Sequence, residues 1–486
     1  MDKQFKKNIL KGSASTSVGT IASMIFQFLS VMIMTRYVSK EDFGIYVLII
    51  VAVNFFNLLG GLGLELTMVK WIASGKEEER DYVLYPVLLL RALSLIFIGA
   101  LFFFTGKLLL SIYDPRLIKY IPLIVGIFIF ANFRDLFYNL LQGLNRFIHY
   151  ASVNIISAIF RFTVVLVVAL LNKLNIETLI YLELLFTVVS VLLQSVVIPF
   201  KKLLNKPKTS ETYKRIIKFS LPLYMTNMVV FFNGRVNIFI IGAYLNAASI
   251  ALFDVASKIP QAMRRLLKSF IIVYFPNLSK LFSKDDSKTA VTLMGKSLNV
   301  LSLVMMFVVI IAFLFREEIV VLLFSAKYTA SAMAFAVLVF NVYLRALADL
   351  MGYSFVPAGY PKVSAIVNTI GSVVSITCSI LLIPIYGFIG AAYSLLIMNT
   401  ISIALYYSFL RKYHISPRVK EFIAPLLMLF VAIGIYYLAG IDGLVFKLIF
   451  LAVIIGASWF LLDEFKKLAE FGLKQFQSFL MRRKSA

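Results

Sequence analysis

Residues Val83–Thr105 read V-L-Y-P-V-L-L-L-R-A-L-S-L-I-F-I-G-A-L-F-F-F-T, with Arg91 as the one charged side chain. At about 1.5 Å per residue, a helix of this length crosses the roughly 30 Å hydrocarbon layer of a bilayer. Outward from it, apolar runs of similar length recur between polar breaks: 14–36, 43–69, 83–105, 117–141, 147–171, 178–199, 216–241, 246–272, 291–315, 329–352, 363–383, 388–410, 422–440 and 443–462. The first and eighth are the least apolar, holding Ser, Thr, Asn and charge. Over all 486 residues 61% are apolar and 15% charged, with mean hydropathy +0.91. Soluble domains are about half apolar and a quarter charged, and a water-facing surface could not accommodate this excess. The expectation is an all-α integral membrane protein with about 14 transmembrane helices.

The net charge of +24 does not indicate nucleic acid as a partner. Lys and Arg gather in short loops and tails, without the aromatic-interleaved basic face that single-strand binders present. Basic residues favour the cytoplasmic side. With both termini inside, about 33 of the 48 Lys and Arg fall on inner segments, about 9 on outer loops and 6 within helices. A shift by one helix scrambles that bias. The expected location is the cell membrane, multi-pass, with both termini cytoplasmic. Residues 1–12 are basic, and the run after them is long enough to span and has no small-residue cleavage pattern, so it is expected to stay as the first helix. Cys378 lies alone in an apolar run, which excludes a disulfide or thiolate zinc site, and no metal or cofactor is implied.

The longest polar linker, Lys201–Lys218 with Pro207, separates six runs from the next six. The fourth run ends in L-L-Q-G-L-N-R-F and the tenth in V-P-A-G-Y-P-K-V, so that Gly143 aligns with Gly359 and Arg146 with Lys362. Both glycines are expected in tight inner turns, where glycine adopts backbone angles that other residues avoid. The division is then an N-lobe over 1–200, a cytoplasmic linker 201–215, a C-lobe over 216–412, two further helices within 413–462 and a basic cytoplasmic tail 463–486. This makes two six-helix pseudo-repeat lobes plus two C-terminal helices. The tail reads as an amphipathic segment on the inner membrane surface, and Glu77–Glu79 as a solvated turn.

Charges within spans are costly and face a cavity or a partner. Arg91, Arg134, Arg161, Arg235, Lys258 and Arg345 qualify, with Asp135, Asp254 and Asp349 as acidic companions. Asp254 and Lys258, like Arg345 and Asp349, stand four apart and can pair on one helix face. Arg161 and Arg235 have no acid nearby in sequence, and Arg91 lies close enough to the inner surface to snorkel. Two readings fit: internal salt bridges, or a net-positive cavity for a phosphate, pyrophosphate or acidic sugar, which guanidinium groups bind bidentately. Amides at Asn54, Asn57, Asn227, Asn233, Asn237, Asn368 and Asn399 suit a glycan or interhelical hydrogen bonds. The candidate substrate groups are Arg134, Arg161, Arg235, Arg345, Asn54, Asn57 and Asn233. Asp254, Lys258, Asp349 and Glu65 are candidates for coupling or internal pairing.

Several segments carry a resemblance: K-G-S-A-S-T-S-V-G-T at 11–20, T-R-Y-V-S-K-E-D-F-G-I-Y at 35–46, the Q-G-L-N-R-F turn, and R-V-N-I-F-I-I-G-A-Y-L-N-A-A-S-I-A-L-F-D-V-A at 235–256. In order and spacing they resemble the polysaccharide transporter family, the oligosaccharide flippases of the multidrug/oligosaccharidyl-lipid/polysaccharide exporter superfamily. The resemblance implies alternating access between two lobes. A polyprenyl-linked glycan would place its headgroup in the cavity while the tail stays among the membrane lipids, with a groove at helices 13 and 14. A polysaccharide polymerase or glycosyltransferases are the implied partners. Phe43, Gly44 and Tyr46 fit the family pattern as a hinge or packing element. Related lipid II flippases place a cation site with carboxylates on helices 7, 11 and 12. Here Asn233, Asn368, Ser372 and Asn399 stand on those helices without an acid, so sodium coupling there is not expected. Asp254, Glu65 or the membrane potential are the alternatives.

Two other function classes compete with this reading. A multidrug exporter of the same superfamily handles cations and wants acidic residues in its cavity, whereas these helices carry more Arg than acid. A glycan polymerase or glycosyltransferase needs catalytic acids or bases at the membrane surface. The short outer loops offer Asp114, Glu177, Glu317 and Glu318 without a spaced pair, and His149 and His414 are isolated. No G-x-x-x-x-G-K motif is present. No catalytic residues are expected.

Overall fold

The computed structural model describes residues 3–73, 82–113, 115–206, 211–441 and 443–462, with 465, 466 and 470 beyond them. The acidic run Glu77–Glu79, Pro207 and most of the tail 463–486 lie outside the described residues, as does the side chain of Asn233.

In lipid every backbone N–H and C=O must be satisfied within the chain, and apolar segments of spanning length meet that demand as helices. The order is α1 (Lys3–Tyr37), α2 (Lys40–Gly61), α3 (Leu64–Ala73), α4 (Leu84–Tyr113), α5 (Ile121–Gly143), α6 (Phe147–Leu170), α7 (Ile176–Val197) and α8 (Glu211–Tyr244). It continues with α9 (Ala247–Phe282), α10 (Ser287–Leu314), α11 (Arg316–Phe324), α12 (Ala332–Ser354), α13 (Pro361–Tyr386), α14 (Ile389–Lys412), α15 (Lys420–Leu438) and α16 (Leu444–Leu461). Among the described residues there is no strand. Twelve helices among the described residues are long and apolar enough to cross a membrane. The chain is an all-helical, multi-pass membrane protein.

The expected fourteen differ from these twelve at α8 and α9. They are 34 and 36 residues long, but Asn, Arg and Lys dilute their apolar character. The run 43–69 also does not form one helix. Leu62 (φ 51°) and Gly63 (φ 69°) take left-handed backbone and separate α2 from α3. A Cβ on Gly63 would lie 2.5 Å from the Ser220 carbonyl oxygen of α8.

Contacts divide the chain into two compact units, 1–254 and 255–486. In the first, α5 is the hub, packed on α2, α3, α4, α6 and α7. One apolar cluster joins Ile45, Val53, Leu95, Phe128 and Ile180. A second joins Met68, Val83, Leu136, Leu140 and Ile198. α1 lies along α6, where Gly19 meets Ala151 so closely that a Cβ on Gly19 would stand 2.7 Å from that of Ala151. Small residues at such contacts let helices approach without a hydrophobic drive. In the second unit the hub is α12, the most buried span, packed on α10 and α14.

The turns after α5 and α12 share one geometry, in a register the sequence alignment missed. After α5, Arg146 N donates to Leu141 O at 2.9 Å and Asn145 N to Gln142 O at 3.0 Å. After α12, Tyr360 N donates to Phe355 O at 2.7 Å and Gly359 N to Val356 O at 3.1 Å. Both are Schellman closures, each with a left-handed residue: Asn145 (φ 56°) and Gly359 (φ 89°). Gly359 thus has the backbone role expected of it, but its structural counterpart is Asn145. Gly143 is a helical residue of α5, kept small because a Cβ there would stand 3.2 Å from Val69 Cα.

Candidate functional site

The polar side chains of the first unit form two connected groups. Arg91, expected to snorkel, is instead fully buried. Its Nη2 donates to Glu65 at 2.5 Å and its Nη1 to Asn132 Oδ1 at 2.6 Å. Asn132 donates to Asn57, Asn57 donates to Asp135 at 3.1 Å, and Asp135 pairs with Arg134 at 2.9 Å. The chain therefore runs from a buried ion pair to a half-exposed one. It starts where α2 breaks: a Cβ on Gly61 would stand 3.0 Å from Glu65 Oε1, and Ser94 donates to the Gly60 carbonyl at 2.6 Å.

The second group centres on Glu183 of α7. Arg161 of α6 contacts it at 2.9 Å, and Tyr46 of α2 donates to the same oxygen, Oε2, at 2.8 Å. Arg161 also donates to the Tyr46 hydroxyl at 2.5 Å and lies over the Phe186 ring. Arg161 is thus paired, contrary to the expectation from its own helix; its acid comes from the next one. Tyr46 is a polar ligand as well as a packing residue. The charges cancel in three pairs, Glu65–Arg91, Arg134–Asp135 and Arg161–Glu183. Arg235 makes no ion pair among the described residues and is half-buried next to Gly234, around which space is open. Asn54 is half-buried and Asp254 buried.

The second unit holds a small, partly open cavity of about 20 Å³ between α9, α10 and α12. Arg264 and Lys268 line it from α9, one turn apart, and Arg345 and Asp349 from α12. Arg345 Nε lies 2.8 Å from Asp349 Oδ1, the expected i,i+4 pair. Arg264 is close enough to feel the charges of both. It and Lys268 have no ion pair among the described residues, so three cations and one anion share the cavity. Lys258, earlier on α9, is half-buried. Asn399 turns to α12, donating to Asn341 at 2.5 Å, while Asn368 is exposed.

Sequence reading missed Glu183, Asn132, Arg264 and Lys268. The last two stand at the basic end of an apolar run and count there as inner-loop charges. Their i,i+4 spacing was the available signal.

Residues 33–333, more than half of the chain, match the family described as polysaccharide biosynthesis protein. The chain belongs to that family. A relative of this polysaccharide biosynthesis protein is the probable low-salt glycan biosynthesis flippase Agl15 of Haloferax volcanii, 20% identical over 247 residues. The match covers 50% of this chain and 52% of Agl15, so it spans about half the length of that relative. Two solved structures share the fold. A lipid II flippase MurJ in an inward closed conformation aligns with TM-score 0.71 and 17% identity over 91% of this chain and 98% of its own. An inward-facing multidrug resistance MATE family transporter of the MOP superfamily aligns with TM-score 0.67 and 14% identity over 80% and 94%.

Proposed function

We propose that this protein is a flippase that moves a polyprenyl-phosphate- or pyrophosphate-linked oligosaccharide from the cytoplasmic to the outer face of the cell membrane, for surface polysaccharide synthesis. The observation that carries this reading is the cavity of the second unit, where Arg264, Lys268 and Arg345 outnumber Asp349. A surplus of cationic donors on a partly open wall attracts a phosphate and repels an organic cation. The family, the glycan flippase relative and the lipid II flippase fold support the same cargo. Both termini are cytoplasmic, the lobes 1–200 and 216–412 alternate in access, and the Asn54 and Asn57 amides face the glycan. A polymerase or glycosyltransferases use the product outside.

Deletion of the gene followed by mass spectrometry of lipid-linked glycans, with membrane sidedness, tests the proposal. A complete lipid-linked oligosaccharide accumulating on the cytoplasmic face is the expected result. Unchanged glycans with increased drug sensitivity would replace it with the multidrug exporter, whose fold the chain shares.

A further inference from the structure

Asp349 sits one helical turn from Arg345 on the same face of α12, both partly exposed, with side-chain accessibilities of 24% and 28%. Arg345 Nε is 2.8 Å from the carboxylate yet buried without an aligned hydrogen bond. The pair is thus a close Coulomb contact in which Nε makes no aligned hydrogen bond. Arg264 and Lys268 face the same space from α9.

Resting on the flippase reading above, we infer that Asp349 is a built-in competitor for the phosphate of the cargo: it holds Arg345 when the cavity is empty, yields it when a phosphate enters, and retakes it to drive release. A transport site must bind well enough to load and weakly enough to unload. Three unopposed cations would bind a pyrophosphate tightly and hold it. A carboxylate on the same face of the helix lowers the affinity at once and gives the guanidinium a partner to return to. No large rearrangement is required, because i,i+4 side chains meet by rotamer change alone. Asp349 acts through Arg345 and touches no cargo, so it is a positioning residue.

The test is calorimetric titration of inorganic pyrophosphate into the full chain in lipid nanodiscs, with gel filtration confirming that each variant is assembled. Asp349→Asn is expected to bind about tenfold more tightly than the parent, with a steeper fall in affinity on adding salt. Asp349→Glu keeps the charge and is expected to return affinity to within about twofold. Asp349→Ser serves the same comparison if the Asn variant does not assemble. Equal or weaker binding by the neutral variants, with Arg264→Gln/Lys268→Gln losing binding, overturns the competitor and leaves the anion site standing. Undiminished binding by Arg264→Gln/Lys268→Gln overturns the anion site, and the competitor falls with it.

Discussion

Arg161 and Glu183 meet at 2.9 Å across α6 and α7, and Tyr46 of α2 donates to the carboxylate oxygen that the guanidinium contacts. Glu183 is the more enclosed partner, with side-chain exposure of 9% against 23% for Arg161. Removing one member of a buried pair leaves the other uncompensated, at about 3–5 kcal/mol when burial is complete, and partial exposure reduces this. Glu183→Ala and Arg161→Ala are each expected to lower stability by roughly 2 kcal/mol. The double variant should cost less than the two losses added together, by about 1 kcal/mol or more. Denaturant unfolding in detergent measures the cycle; additive losses would show that the contact carries no coupling.

Arg235 gives the contrasting case, because it has no acid to orphan. Arg235→Ala is expected to leave stability within about 0.5 kcal/mol, as for substitutions away from packed or paired features. Flipping in the sidedness assay should nevertheless fall severalfold or more. Normal glycan export by this variant would remove Arg235 from the substrate path.

Legibility in the sequence followed the range of the interaction. Apolar runs are local, and length and polarity marked fourteen of them, twelve of which coincide with helices long and apolar enough to cross a membrane among the described residues. The Arg345–Asp349 pair was legible for the same reason, since i,i+4 spacing is a property of one helix. Glu183 was not, because a carboxylate on α7 meets Arg161 only when α6 and α7 pack side by side. Asn132 was hidden in the same way: as the bridge between Arg91 and Asn57, its role exists only once α2, α4 and α5 are assembled. The turn register failed through chemistry, since Asn shares glycine's tolerance of left-handed backbone and masked the correspondence with Gly359.

That correspondence has its own test. Asn145→Gly should be neutral or slightly stabilising, while Asn145→Ala and Gly359→Ala should each cost about 1 kcal/mol by placing Ala in the left-handed region. Gly143→Ala should also destabilise, through the close approach to Val69 and Ile72 rather than through φ. A second substitution at Ile72 that makes room should recover Gly143→Ala and leave Gly359→Ala unchanged. Recovery of both, measured by thermal unfolding, would show that the glycines share one role.

Asp286 caps α10 from just before that helix begins, accepting from Thr289 N at 3.1 Å. Hydrogen bonds from Thr289 hold its carboxyl below the usual carboxylate range. A depressed folded-state pKa means that the cap's contribution is present above the unfolded value of about 3.9 and is lost as pH falls through the lower folded value. Asp286→Ala should therefore lower the melting temperature at pH 7, and the difference from the parent should narrow below about pH 4. Asp286→Ser, which keeps the cap without the charge, should lie between them at pH 7, and its advantage over Asp286→Ala should not change across the same pH range.

The Glu65–Arg91 pair separates a structural from a coupling role. Arg91 is fully buried and its Nε has no partner, so it depends on Glu65 and Asn132 for all of its bonding. Glu65→Ala should be among the most damaging single changes in the first unit, about 3 kcal/mol or more, because it strands a cation. Replacing both at once, as Glu65→Leu with Arg91→Met, removes the charges in matched volume and should recover most of that loss. The double variant then decides what the pair is for. Stable protein that still flips glycan would make it a clamp on the α2–α3 break, whereas stable protein that does not would assign Glu65 to coupling. In that second case the Asn132–Asn57–Asp135 chain is the route by which its charge is felt at the half-exposed Arg134, and Asn57→Leu should reproduce the transport defect with a smaller loss of stability than Glu65→Ala.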